Sequence, residues 1–161
     1  CDTLKNIAES YELPPNCIHI ELTESAYTES PELLAEAAGR LREAGFIIEM
    51  DDFGSGYSSL NILKDIDIDI LKLDMKFLSG GPESRKGEII VSSIVNMAKK
   101  LRIPVIAEGV ETKVQADMLL SFGCTYMQGY YFSKPLPESE YEKLLDKGGL
   151  FGKTKDGKKK G

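Results

Sequence analysis

No run of apolar residues in this 161-residue chain approaches the roughly 20 that a membrane-crossing helix needs. Its first residues also lack the basic-then-apolar order of a secretion signal. Cysteine is scarce. Cys1, Cys17 and Cys124 are odd in number, far apart and without a C-x-x-C spacing, which argues against both a disulfide framework and a zinc site. A reducing, cytoplasmic setting is expected, with any membrane anchor belonging to a longer parent protein. Positive charge is also sparse in the body of the chain. The net charge is −6, yet residues 148–161 hold five lysines against one aspartate, so that stretch carries +4 and the remainder −10. An acidic body argues against general duplex binding, which needs clustered Lys and Arg to replace phosphate counterions. It suits a divalent cation that mediates contact with phosphate.

What is present is enough for one domain: 42% of the residues are hydrophobic and 8% aromatic, sufficient for a sizeable core. Strand-like and helix-like segments alternate. Strands are expected at 17–22, 46–51, 67–73, 103–107 and 125–128. Helices are expected at 31–44, 58–64, 86–101, 113–122 and 138–146. Ser30, Pro31 and Gly45 mark the start and end of the first helix, and Ile90, Ile94, Met97 and Leu101 form an apolar stripe at helical spacing on the third. This rhythm predicts an α/β fold with a parallel sheet and crossover helices, either open and doubly wound or part of an eight-stranded barrel. Five strands are too few to close such a barrel. Residues 1–147 are read as the domain, and the lysine- and glycine-rich residues 148–161 as a disordered basic tail.

The chemistry concentrates where strands end. The apolar run from Phe46 to Met50 stops at two adjacent carboxylates, Asp51 and Asp52, followed by a loop punctuated by Gly54 and Gly56. Side chains alternate along a strand, so two neighbours can converge on one site only where the backbone has begun to turn. Glu21 closes the first strand, Lys72 the third, Glu108 the fourth and Gln128 the fifth. In parallel α/β folds the active site is built at these carboxyl ends from several strands at once. Each residue alone has a plainer reading: an Asx turn for the aspartate pair, a solvated strand end for Lys72, a helix cap for Glu108 and surface positions for Glu24 and Glu111.

Five motifs in order then carry a specific resemblance. Glu-Leu-Thr-Glu-Ser begins at Glu21, Asp-Asp-Phe-Gly-Ser-Gly-Tyr-Ser-Ser-Leu at Asp51 and Leu-Lys-Leu-Asp at Leu71. Ala-Glu-Gly-Val-Glu-Thr begins at Ala107, and Gln-Gly-Tyr-Tyr-Phe-Ser-Lys-Pro-Leu at Gln128. Together they resemble the EAL-domain family of cyclic di-GMP phosphodiesterases. The Asp-Phe-Gly tripeptide alone might have suggested a protein kinase, but no catalytic-loop His-Arg-Asp precedes it and the chain is too short.

The resemblance implies the C-terminal part of a TIM-like barrel, incomplete in this chain. It also implies hydrolysis of cyclic di-GMP to the linear dinucleotide with two Mg²⁺ or Mn²⁺ ions. Glu21 and Asp51 match ligands of one ion. Asp51 also bridges to a second ion, which Asp52 and Glu108 help to hold. Lys72 matches the lysine beside the attacking water and the phosphate; with Asp51 and Glu108 it forms the implied catalytic set. Gln128 matches a supporting residue at the substrate end. Glu111, one helical turn after Glu108, matches a residue that orients the site, and Asp74 shares a strand face with Lys72 in a role left open. Phe53, Gly54, Ser55, Gly56, Tyr57, Ser58 and Ser59 match the family's loop that couples metal binding and dimerisation to activity, and Glu24 the carboxylate that holds that loop. A homodimer is implied for the intact domain.

The family's Glu-Ala-Leu motif and a following asparagine would lie upstream of Cys1. The chain is therefore read as the C-terminal portion of a longer protein, with little activity of its own. The alternative reading is a non-catalytic module that binds cyclic di-GMP or a protein. One layer below the implied metals, His19 and Glu49 each precede a strand-end acid by two residues and are expected to face each other as a pair.

Overall fold

The computed structural model describes residues 1–54, 59–75 and 84–146, without the side chain of Ser59. Ser55, Gly56, Tyr57 and Ser58 of the glycine loop and the basic stretch 148–161 lie outside the described residues. Five strands form one parallel sheet in sequence order: β1 (His19–Leu22), β2 (Ile47–Met50), β3 (Ile70–Asp74), β4 (Val105–Glu108) and β5 (Tyr126–Met127). The helices are α1 (Asp2–Ser10), α2 (Glu24–Glu29), α3 (Pro31–Glu43), α4 (Ser59–Asp65), α5 (Arg85–Leu101), α6 (Lys113–Phe122) and α7 (Glu138–Asp146), with a 3₁₀ turn at Pro15–Cys17. The sheet does not close, and β1 and β5 are its edges.

Local chemistry explains most of these boundaries. The Thr112 side chain accepts from the backbone of Gln115, and the Gln115 side chain returns the bond to the Thr112 backbone, so α6 opens on a reciprocal cap and closes at left-handed Gly123. At the start of α5 the Ser84 hydroxyl accepts from the Gly87 amide, and the helix ends where Arg102 turns left-handed. Ser30 occupies the N-cap of α3 without making a side-chain bond, so Pro31 at the first turn is the stronger start signal there. The central strands bury both faces, as parallel strands under crossover helices must. Ile48, Met50, Leu71, Leu73 and Ala107 meet Val91, Val95 and Ala98 of α5 and Leu119 of α6 in one core.

Several expectations need correction. The helix α1, the 3₁₀ turn and α2 were not expected. Strand β3 begins at Ile70 and not at residue 67, because the Asp69 carboxylate is engaged as a side chain: it accepts from the Ile48 amide and from the Arg42 guanidinium. Strand β5 is only two residues long, leaving Gln128 just beyond it. The segment between Glu108 and Thr112 is not helical, so Glu111 is not one helical turn beyond Glu108. Gly109 at φ 71° turns the chain first, and the Thr112 cap starts the helix later.

Candidate active site

Lysine 72 organises the carboxyl end of the sheet. It lies within β3 with only 8% of its surface exposed, and its Nζ donates to Glu21 Oε1 at 2.6 Å. The same ammonium lies 3.2 Å from Asp51 Oδ1 and 3.2 Å from Glu108 Oε1. Strands β1, β2, β3 and β4 thus each send one charged side chain to a single point. Burial works against the lysine charge, but the hydrogen bonds to Glu21, Glu108 and Asp51 outweigh it and hold its pKa above the ordinary value.

The turn after β2 places the second aspartate. Asp52 adopts φ 52°, a left-handed conformation that Asp tolerates better than most residues, and its amide donates to Asp51 Oδ1 at 3.0 Å. The Asp51 amide bonds the Leu22 carbonyl and the Phe53 amide bonds the Lys72 carbonyl, tying this turn to both neighbouring strands. Phe53 is buried, and the Gly54 amide donates to Glu24 Oε1 at 3.4 Å.

Negative charge is in excess here. Desolvation raises the Asp52 pKa, and repulsion from Asp51, Asp74 and Glu21 raises it further against the pull of Lys72. Glu108 is likewise raised, by burial first and then by Asp51 and Glu21, with Lys72 opposing.

Asp74, Glu108, Gly109, Glu111, Gln128 and Tyr130 line an adjoining cavity of about 240 Å³. Asp74 pairs in register with Glu108 across β3 and β4. The Gln128 backbone bridges the strand ends, donating to the Ala107 carbonyl and accepting from the Val110 amide. Glu111 is exposed at the cavity edge, and its amide is held by the Gln115 side chain. A larger cavity of about 590 Å³ lies against Gly45, Phe46 and Asp69, at the opposite ends of the strands, and contains none of the candidate residues.

One layer below, His19 Nδ1 and Glu49 Oε1 are 2.5 Å apart, so the expected pair forms between β1 and β2. Sequence reasoning missed two structural contributors. Tyr27 is buried on α2 and donates to Asp65, and Gly129 packs directly on the backbone of Val110. The Gln-Gly-Tyr motif was a signal for the second. Nothing in the periodicity marked the first.

A family model described as the EAL domain matches residues 1–135. The chain belongs to the EAL-domain family. It is 37% identical over 142 residues to signaling protein YkoW of Bacillus subtilis, covering 88% of this chain and 18% of that protein. It is 39% identical over 138 residues to a probable cyclic di-GMP phosphodiesterase of Escherichia coli, PdeB, covering 86% of this chain and 26% of that protein. Among solved structures, the EAL domain of Mycobacterium smegmatis DcpA superposes with a TM-score of 0.84 at 34% identity, covering 91% of this chain and 66% of that one. The manganese and cyclic di-GMP complex of Klebsiella pneumoniae BlrP1 gives a TM-score of 0.77 at 34% identity over 83% of this chain and 34% of that one. The chain therefore spans about a fifth to a quarter of these two curated relatives.

The EAL residues present here suit a hard divalent cation in donor chemistry. Glu21, Asp51, Asp52 and Glu108 offer carboxylate oxygens alone, the set that Mg²⁺ and Mn²⁺ prefer. Three of them already converge on one positive charge, the Lys72 ammonium. Among the described residues no three metal-competent side chains are gathered around a common point with that lysine set aside.

Proposed function

We propose that the protein containing this chain hydrolyses cyclic di-GMP to the linear dinucleotide, with residues 1–147 supplying part of the EAL domain and residues 148–161 a basic tail. The observation that supports this most directly is the meeting of Glu21, Asp51 and Glu108 at Lys72, at the carboxyl ends of four adjacent parallel strands. In this reading Glu21 and Asp51 hold one Mg²⁺ or Mn²⁺ ion, and Asp51, Asp52 and Glu108 hold a second. Such a pair supplies a water of lowered pKa and charge stabilisation at both the attacking and the leaving oxygen.

The chain's own residues do the rest. Lys72 is held charged by its carboxylate neighbours and presents a compact positive charge to the non-bridging phosphate oxygens. The cavity lined by Glu108, Glu111, Gln128 and Tyr130 receives the part of the dinucleotide next to the reacting phosphate, and Asp74 borders it from β3. Glu24 holds the start of the loop through Gly54. The protein acts in the cytoplasm and as a homodimer when the domain is intact.

Hydrolysis of cyclic di-GMP by the full-length protein with Mg²⁺ or Mn²⁺ tests this. Linear dinucleotide should form with the wild-type protein and not with Asp51→Ala. Hydrolysis that survives Asp51→Ala would refute the metal assignment. Tight nucleotide binding without hydrolysis by the wild-type protein would identify a receptor in place of an enzyme.

A further inference from the structure

The short helix α2 does more than connect β1 to α3. At six residues it is far below the length at which a helix holds itself together in water, so its position depends on what its side chains grip. Glu24 and Tyr27 are three apart, hence on one face, and both are buried, with 8% and 7% of their surfaces exposed. Glu24 Oε1 accepts from the Gly54 amide, two residues past Asp52. The Tyr27 hydroxyl donates to Asp65 Oδ2 at 2.5 Å, at the last residue of α4. One face of α2 therefore grips the turn after β2 and, separately, the helix that follows that turn. The N-terminal end of α2 is fixed as well: Thr23 caps it directly after β1, the strand that carries Glu21.

We propose that the Tyr27–Asp65 hydrogen bond is a positioning contact that clasps α2 to α4 and so holds the Asp51–Asp52 turn in register with Glu21 for metal binding. The metal-binding part rests on the function proposed above; the clasp itself does not. Its logic is geometric. Asp51 and Asp52 lie between two anchored points, the backbone bond to Leu22 on one side and the grip of α2 on Gly54 on the other. If α2 loses its hold on α4, the second anchor shifts with it. The donor is well suited to the task, because the bond to Asp65 and burial push the Tyr27 phenol above its ordinary pKa and keep it protonated at neutral pH.

Tyr27→Phe in the full-length protein removes the hydroxyl and keeps the ring in its packing. Two readouts apply: hydrogen exchange of the Gly54 amide and of α4, and Mn²⁺ affinity by calorimetry. Exchange should accelerate at Gly54 and through α4. Mn²⁺ should bind about tenfold more weakly, the lower end of what loss of a ligand-orienting partner produces. Asp65→Ala should reproduce both effects, while Asp65→Asn, which still offers an oxygen acceptor, should restore values close to wild type.

Unchanged exchange and unchanged affinity in Tyr27→Phe would overturn the proposal. So would an Asp65→Asn protein as impaired as Asp65→Ala, since charge and not the clasp would then be responsible. If Tyr27→Phe fails to fold, Asp65→Ala decides the question with the ring intact. A wild-type protein that binds no Mn²⁺ would remove the proposed function, and the exchange measurement would still decide whether the clasp exists.

Discussion

Lys72 contributes opposite effects to the two activities expected of its site. Its ammonium compensates Glu21, Asp51 and Glu108, and for that reason it also competes with any metal for their oxygens. Lys72→Met, similar in length and uncharged, separates the two roles. Turnover should fall about a hundredfold or more, the scale seen when one donor to a developing negative charge is removed. Mn²⁺ affinity should hold or rise, because three carboxylates lose their internal partner. Single-turnover kinetics and calorimetry on the same protein check both halves, and a parallel loss of affinity and rate would mean that Lys72 only props up the fold. At this scale the sequence was informative where a residue's place on a strand determines its direction. Period-2 alternation aimed His19 and Glu49 at each other, and they meet. It could not foresee that Lys72 would touch three acids at once, because that depends on the registers of four strands.

Helices with strong punctuation were legible as elements, and those held by tertiary contacts were not. The bounds expected for α6 and α7 match those observed, since a capping box opens α6 and a left-handed glycine closes it. The six-residue α2 has too few residues to show a period, and what stabilises it comes from α4 and the turn after β2. A similar tertiary dependence fixes the end of β5. A Cβ on Gly129 would lie 2.2 Å from the Val110 carbonyl oxygen and 2.4 Å from its nitrogen, both backbone atoms that cannot rotate away. This close approach lets the Val110 amide reach Gln128 and the Tyr131 amide reach Val110, binding the loop after β4 to the loop after β5. Gly129→Ala must spread the two loops. It should destabilise the protein by about 1–3 kcal/mol, the usual range for overpacking, and lower activity further by moving Gln128 and Glu108 apart. Urea denaturation gives the first number. Activity measured far below the unfolding midpoint isolates the second, which would be absent if Gly129 mattered only for stability.

The whole molecule differs from its parts in having two open sides. Strand β1 has β2 on one flank and no strand on the other, and β5 pairs only with β4. Two residues of the proposed site depend on that outer strand: Glu21 itself, whose side chain is 52% exposed, and His19 below it at 43%. A buried Glu49 therefore leans on a histidine that water reaches, and Glu21 is held laterally by Lys72. An edge strand with unpaired amides and carbonyls moves more readily than a strand paired on both sides. A displacement of about 1 Å in a reacting group is enough to reduce rate a hundredfold. The solved EAL domain of which this chain covers 66% has further structure to offer such an edge. Residues 1–161 expressed alone should therefore hydrolyse cyclic di-GMP at least about a hundredfold more slowly than the full-length protein under saturating Mn²⁺. EDTA should abolish whatever rate the full-length protein has. Equal turnover by the isolated chain would mean that Glu21 needs no neighbour beyond Lys72, and that the five strands described here are sufficient to build the site.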